Sequence, residues 1–300
     1  YSLDIVEANE LIVDGVAASS GPISITTGGS MTFLAAMETR GDLTIKSGAD
    51  FTVSAPITTA FGSISLEAAT VRVDSQVRVL DAIANEQNRD ITIVASDGIL
   101  TLNDAVAAIN TVRLESRSVQ SGAGVSGSAR IRGDIVDIES EGNVELLTDA
   151  NLVRVRAPGI VQLRDEGAVG FEIRDSPVVT LVADGFDAYT ESGRSPALYA
   201  DIYDTQTLVV SAANGSIDVV HYGDNNLSIG NRSEIALGQE QVMQAAGSVS
   251  IRSNLANEIM TYDAPMANSA AHEVRYATKL PLEGASYTAG RPGLTPTSII

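Results

Sequence analysis

A short phrase recurs along the chain: a turn residue is followed by alternating apolar and polar residues. It reads Gly-Asp-Leu-Thr-Ile at 41–45 and Gly-Ser-Ile-Ser-Leu at 62–66. Further copies begin at Gly21, Asp90, Asn110, Gly133, Gly142 and Gly247. The alternation predicts half-buried strands, because successive side chains of a strand point to opposite faces. A strand this short buries its apolar face only by stacking on other copies.

Two periods are nested in this pattern. Neighbouring strands begin roughly seven to ten residues apart, and the glycine-led phrase returns after roughly twenty residues, which is a solenoid period. An antiparallel sandwich also gives short strands at even spacing, but it does not readily repeat one phrase. The sequence therefore predicts an all-β fold, a parallel β-helix (solenoid) with three short strands per coil of roughly 20 residues.

The alternation also predicts which side chains face the core and where regularity ends. The residues expected to point inward are Leu43, Ile45, Ile64, Leu66, Ile91, Ile93, Val112, Leu114, Val144 and Leu146. We expect a regular β-helix over 1–180, a β-rich continuation with longer loops over 181–263, and a Pro-containing C-terminal arm or cap over 264–300. The polar stretch Leu80–Arg89 breaks the period and is expected to bulge from the coil.

Composition narrows the classes of partner. The net charge of −19 disfavours binding to nucleic acid and to anionic membrane surfaces. No run of 18 apolar residues is present, so membrane insertion is not expected. The chain has no cysteine, which excludes disulfides and thiolate metal sites. It begins at Tyr1 with no charged-then-apolar leader, as expected for a processed chain or a part of a longer one.

The phrases at 41–53 and 60–68 resemble the filamentous haemagglutinin-type repeats of bacterial surface proteins. The resemblance implies a secreted, right-handed β-helix that serves as an adhesin or exoprotein fibre. We therefore expect a structural or adhesive module of an extracellular or bacterial cell-surface fibre, acting by rigid stacking and not by catalysis. Its expected partners are copies of itself or neighbouring domains of a longer chain, together with a glycan or a host-surface receptor.

Two Arg-Gly-Asp triplets occur, Arg40-Gly41-Asp42 and Arg132-Gly133-Asp134. In integrin-type adhesion the aspartate offers a carboxylate to a receptor-bound cation, and the arginine pairs with an acidic partner. The structural interpretation is that Gly-Asp forms the turn before a strand. Both copies occupy that position of the repeat, which favours the structural interpretation.

Outward carboxylates cluster around Asp134, Asp137 and Glu139. Stacked carboxylates can bind Ca²⁺ weakly or act as acid and base in a polysaccharide lyase or hydrolase. Charge runs are usually solvated faces, and no calcium-loop motif is present, so no cofactor or metal site is predicted. The alternatives to a structural module are thus a polysaccharide-acting enzyme with this trio and a passive glycan-binding module. Tyrosines that could serve the latter are Tyr189, Tyr199, Tyr203, Tyr222 and Tyr262.

Overall fold

A computed structural model of the chain describes residues 2–15, 17–80, 89–122, 129–186, 188–190, 193–212, 214–223, 227–229, 244–245, 249–253, 259–261 and 274–278. The chain divides into two compact units, Tyr1–Arg154 and Val155–Ile300. The described residues contain strands and turns but no helix. Parallel strands stack as a β-solenoid of about 10 turns, about 20 residues apart. The predicted fold class is therefore confirmed.

The first four coils of the first unit contain three short strands each. They are β1 (Leu3–Glu7), β2 (Leu11–Val13), β3 (Ala17–Ser19), β4 (Ile23–Thr27), β5 (Met31–Phe33), β6 (Met37–Thr39), β7 (Leu43–Ser47), β8 (Asp50–Val53), β9 (Ile57–Thr59), β10 (Ile64–Ala68), β11 (Thr70–Val73) and β12 (Val77–Val79). Within these four coils, each strand from β1 to β9 pairs in parallel with the strand three further along. Leu43, for example, lies between Ile23 and Ile64 in the ladder. Each side of the coil therefore carries one continuous ladder.

The core consists of the alternate residues of these strands. All ten residues predicted to point inward are buried, none with more than 1 % of its surface exposed. The intervening Thr44 and Ser65 are half-buried on the outer face. Two phenylalanines join the aliphatic stack, Phe33 and Phe51, whose rings meet edge to face at 5.3 Å between centroids. Stacking equivalent apolar residues supplies the hydrophobic stabilisation that a single coil lacks.

Longer strands follow in the rest of the first unit. They are β13 (Ile91–Leu102), β14 (Val106–Ala107), β15 (Thr111–Ser121), β16 (Arg130–Ser140) and β17 (Val144–Arg156), which runs into the second unit. The single strand β13 pairs with both β10 and β11, because Ile91 lies opposite Ile64 and Leu100 lies opposite Val71. Two sides of the coil are thus formed by one strand, whose register against β15 shifts between Ala95 and Ile99.

Residues 81–88 of the polar stretch between β12 and β13 lie outside the described residues. The register is kept across this stretch, since Ile64 pairs with Leu43 in one direction and Ile91 in the other. Arg89 differs from our expectation, because it belongs to the coil and is only 2 % exposed. Its carbonyl oxygen accepts the backbone N–H groups of Ile109 and Asn110 at 3.3 and 3.4 Å.

Between Ile160 and Tyr222, the described part of the second unit has two six-residue strands per coil in place of three short ones, apart from a hairpin at 188–195. Its strands are β18 (Ile160–Asp165), β19 (Val169–Arg174), β20 (Val178–Ala183), β21 (Ala188–Thr190), β22 (Gly193–Ser195), β23 (Leu198–Tyr203), β24 (Thr207–Ala212), β25 (Ile217–Tyr222), β26 (Leu227–Ile229), β27 (Gln244–Ala245), β28 (Val249–Ser253), β29 (Ile259–Thr261) and β30 (Val274–Thr278). One ladder joins β19, β23, β25, β28 and β30, and the other joins β18, β20, β24, β26 and β29.

The change in strand number has a local cause in the sequence. Val169–Arg174 alternates over six residues, and Val178–Ala183 is equally long but buried at three consecutive positions; neither run contains a turn, so each forms one side of a coil. The prediction of three short strands therefore holds for the first four coils. A short antiparallel hairpin, β21 with β22, projects from the predicted loop region. Within the predicted arm, the described residues 274–278 form β30, which pairs with β28.

Buried hydroxyl groups close the corners of the coil. The Thr59 hydroxyl donates to the carbonyl oxygen of Gly41 in the preceding coil at 2.7 Å, and Thr39 repeats this bond with Gly21 at 2.7 Å. The Thr59 oxygen also accepts the backbone N–H of Gly62 at 3.3 Å. These bonds satisfy backbone groups that the strand ladder leaves unpaired at a turn.

Candidate functional site

The first Arg-Gly-Asp triplet lies at the corner between β6 and β7. Asp42 is exposed, and its Oδ1 accepts the backbone N–H of Ser63 in the next coil at 2.9 Å. Asp90 makes the equivalent bond to the N–H of Thr111 at 3.0 Å. The aspartate at this repeat position therefore caps the turn of the next coil, which supports the structural interpretation of the Gly-Asp pair.

The glycine of the same triplet is required by close backbone packing. A Cβ at position 41 would come within 2.7 Å of the backbone nitrogen of Pro22. The Gly41 N–H donates to the Thr39 hydroxyl oxygen at 3.1 Å, and its carbonyl accepts from Thr59. A larger residue would separate these coils at their corner.

Arg40 lines an open groove of about 560 Å³. We call it the corner groove; its lining includes Ser20, Glu38, Arg40, Thr58, Ala60 and Leu80. Arg40 is exposed, and among the described residues it takes part in no ion pair. Its guanidinium group is therefore open to a ligand.

The second triplet has a different environment inside strand β16. The Arg132 guanidinium lies 3.4 Å from the carboxylate of Asp149. The Asn151 side-chain amide donates to Asp134 at 2.6 Å. Both charged residues of this triplet are therefore engaged within the protein. Sequence alone does not distinguish the two triplets, because Asp149 and Asn151 contact the second triplet only through the stacking of coils.

The acidic trio does not converge on one point. Asp137 and Glu139 lie 3.8 and 3.5 Å from the guanidinium of Arg113, whereas Asp134 contacts Asn151. Arg113 also pairs with Glu115 on its own strand. The hydrogen bond that Arg113 donates to Glu115, with the charges of Glu115, Asp137 and Glu139, raises the pKa of Arg113 above its usual value. This face is a salt-bridged cluster around a permanent cation.

Among the described residues, no group of three or more histidine, aspartate or glutamate side chains is arranged to hold a metal ion. The acidic trio and the carboxylates of both triplets are among these residues. Weak Ca²⁺ binding by stacked carboxylates stays the alternative that the sequence raised.

The second unit contains an aromatic and cationic ladder on its outer face. The guanidinium carbon of Arg174 lies 4.4 Å from the ring centroid of Tyr203, and Tyr203 stacks on Tyr222 at 4.7 Å. The rings come together because Tyr203 and Tyr222 are ladder partners. Each face of the Tyr203 ring is therefore covered, by a cation on one side and by another ring on the other.

Of the five tyrosines considered from sequence, the structure brings Tyr203 and Tyr222 into contact and places Tyr199 on the same strand as Tyr203. The Tyr199 hydroxyl donates to Asp201 at 2.8 Å. Burial, together with the hydrogen bond and charge of Asp201, raises the pKa of Tyr199, so the hydroxyl remains a donor. The side chain of Tyr189, and Tyr262, lie outside the described residues.

His221 is a buried titratable group in strand β25. It is fully buried, and its Nε2 lies 3.0 Å from the carbonyl oxygen of Thr205, to which it donates. Burial lowers the pKa of His221 below its ordinary value of 6.5, so the imidazole is neutral in the fold. His221 therefore serves the core of the second unit; His272 lies outside the described residues.

The described part of the chain contains no helix with the length and apolar character required to cross a membrane. Comparisons with protein-family models, with curated proteins and with solved structures find no match for this chain.

Proposed function

We propose that this protein is a structural or adhesive module of an extracellular or bacterial cell-surface fibre, of the filamentous haemagglutinin type that its repeats resemble. It acts by presenting a stiff stack of coils and by surface contacts, not by turnover. The observation that best supports this proposal is the strand register. Within each unit, equivalent residues of successive coils pair in continuous parallel ladders. A ladder of this kind hydrogen-bonds every coil to the next.

Charged side chains extend the stacking to the surface. Lys46 pairs with Glu67, its ladder neighbour, at 2.7 Å. Arg164 pairs with Asp184 of the following coil at 2.7 Å in the second unit. Arg113 likewise reaches Asp137 and Glu139 across the ladder. At these positions a cation of one coil meets a carboxylate of the next, and Arg113 also bridges Glu115 and Glu139, which are ladder partners of like charge.

The cellular part of this proposal is tested by location. Antibodies raised against the purified chain should label fibres or the outer surface of intact producing cells in immunogold microscopy. External protease should remove that label without cell lysis. Label confined to the cell interior, unaffected by external protease, would overturn the proposed role.

The alternative of a polysaccharide-acting enzyme rests on the adjacent outward carboxylates of Asp137 and Glu139. Both are bound to Arg113, which favours a structural role for them. The test incubates the purified chain and its Asp137→Ala variant with uronate-containing and neutral glycans and measures released chain ends. Turnover by the parent chain that the substitution abolishes would replace the structural proposal with the enzymatic one.

A further inference from the structure

The corner groove combines features that suit a saccharide. Its wall carries hydroxyl groups from Ser19, Ser20 and Thr58, and the carboxylate of Glu38 lies among them. Ala60 and Leu80, with the carbon atoms of the polar side chains, give the groove an apolar surface as well, which suits the C–H face of a sugar ring. Hydroxyls and a carboxylate provide both donors and acceptors for the many hydroxyl groups of a sugar ring. The groove lies at the surface and is open to solvent.

Arg40 adds a cationic group to this polar wall. A guanidinium presents paired N–H donors in a planar fork that matches the two oxygens of a carboxylate. Other arginines of the described residues already take part in ion pairs: Arg72, Arg113, Arg117, Arg132, Arg156, Arg164 and Arg174. Arg40 has no ion pair in the described structure, although the chain carries a net charge of −19.

The ladder places a second cation near the groove. Arg78 lies opposite Thr58, and Thr58 lies opposite Glu38, so the outward column reads carboxylate, hydroxyl, guanidinium over three successive coils. Arg78 is exposed and likewise takes part in no ion pair among the described residues. Arg40 in the groove lining and Arg78 next to Thr58 in the ladder are therefore two guanidinium groups without an ion pair in the described structure.

We propose that the corner groove binds a segment of an acidic polysaccharide, with a uronate carboxylate on Arg40 and ring hydroxyls on Glu38 and the hydroxyl wall. The site is independent of the proposed fibre role, since a purified chain either binds or does not bind wherever it resides in the cell. It is also distinct from Arg-Gly-Asp adhesion, because Asp42 caps a turn and does not line the groove.

The test measures binding of an oligogalacturonate to the full chain by isothermal titration calorimetry. The matched probe is the same oligosaccharide with its carboxyl groups reduced to alcohols. We expect the acidic probe to bind, with an affinity that weakens as salt is added, and the reduced probe to bind at least about tenfold more weakly. Absence of binding by the acidic probe, or equal binding of both probes, would overturn the proposal.

The second triplet supplies a matched control within the same chain. Arg40→Gln should weaken binding of the acidic probe by about tenfold or more, whereas Arg132→Gln, in the same local sequence, should leave the affinity unchanged. Circular dichroism and thermal unfolding of both variants verify that the fold is retained. An equal loss in both variants, or unchanged affinity in Arg40→Gln, would refute the assignment of the groove.

Discussion

Replacement of Thr59 by valine tests the corner bonds directly. Valine has nearly the same shape as threonine, so the substitution removes the hydroxyl group without opening a cavity. Thr59 is fully buried. Its hydroxyl donates to Gly41 O at 2.7 Å and accepts from Gly62 N at 3.3 Å. The variant therefore leaves a carbonyl and an N–H at the corner without these partners.

The expected cost follows from those two groups. A buried donor or acceptor deprived of its partner costs about 1–3 kcal/mol. The bond to Gly41 is the shorter of the two, and the Gly41 carbonyl lies at a corner that is only partly buried. We therefore expect Thr59→Val to lower the free energy of unfolding of the first unit by about 2 kcal/mol.

The matched control is Thr58→Val on the same strand. Thr58 points outward and is half-buried, so its replacement should change the stability by no more than about 0.5 kcal/mol. Urea unfolding followed by circular dichroism gives the global effect. Hydrogen exchange at the amide of Gly62 gives the local one, which matters because stacked coils can open separately. Equal stability and equal exchange in both variants would show that the corner hydroxyl has no structural role.

Three further predictions concern the core, pH and surface charge. Ile64→Asp should lower the free energy of unfolding by about 4 kcal/mol or more, because it buries an unpaired carboxylate. Ser65→Asp, on the outward face of the same strand, should cost little. Similar urea midpoints for the two variants would contradict the assigned strand face. Burial lowers the pKa of His221 from 6.5, so the unfolded chain binds the proton first and stability falls as pH drops below about 6.5 toward the folded-state pKa. His221→Gln should reduce that loss in thermal melts at about pH 7.5 and about pH 5.5, and an unchanged slope would refute it. Lys46→Gln should lower stability by at most about 1 kcal/mol, an effect that vanishes in high salt, because both partners of its ion pair are half exposed.

The sequence predicts the fold and its inward residues well because the same few residues decide both. Ile64 and Leu66 alternate with polar neighbours, and their copies recur at the solenoid period, so one register satisfies every coil. The two-strand coils of the second unit are harder to foresee. The alternation of Val169–Arg174 gives the length of a strand but not the number of strands that close a turn.

The candidate site depends on contacts that no local pattern encodes. Arg40 and Arg132 are both followed by Gly and Asp, yet of the two only Arg132 forms an ion pair in the described structure. That partner, Asp149, is brought into reach by the stacking of one coil on the next. The burial of Arg89 is equally difficult to predict from the sequence. Arg89 ends a polar run, which is typical of an exposed segment, yet its side chain is buried and its backbone carbonyl accepts hydrogen bonds from the next coil.

The ladder keeps its register across the stretch between β12 and β13, which makes this stretch a suitable position for inserted sequence. Ile64 meets Leu43 through an ordinary coil and Ile91 through a longer one, and both neighbours are equally buried. Extra residues at a corner thus leave the apolar stack unchanged, since loop length costs little free energy compared with the loss of a core contact. A peptide epitope inserted between β12 and β13 should therefore leave the inward stack in register.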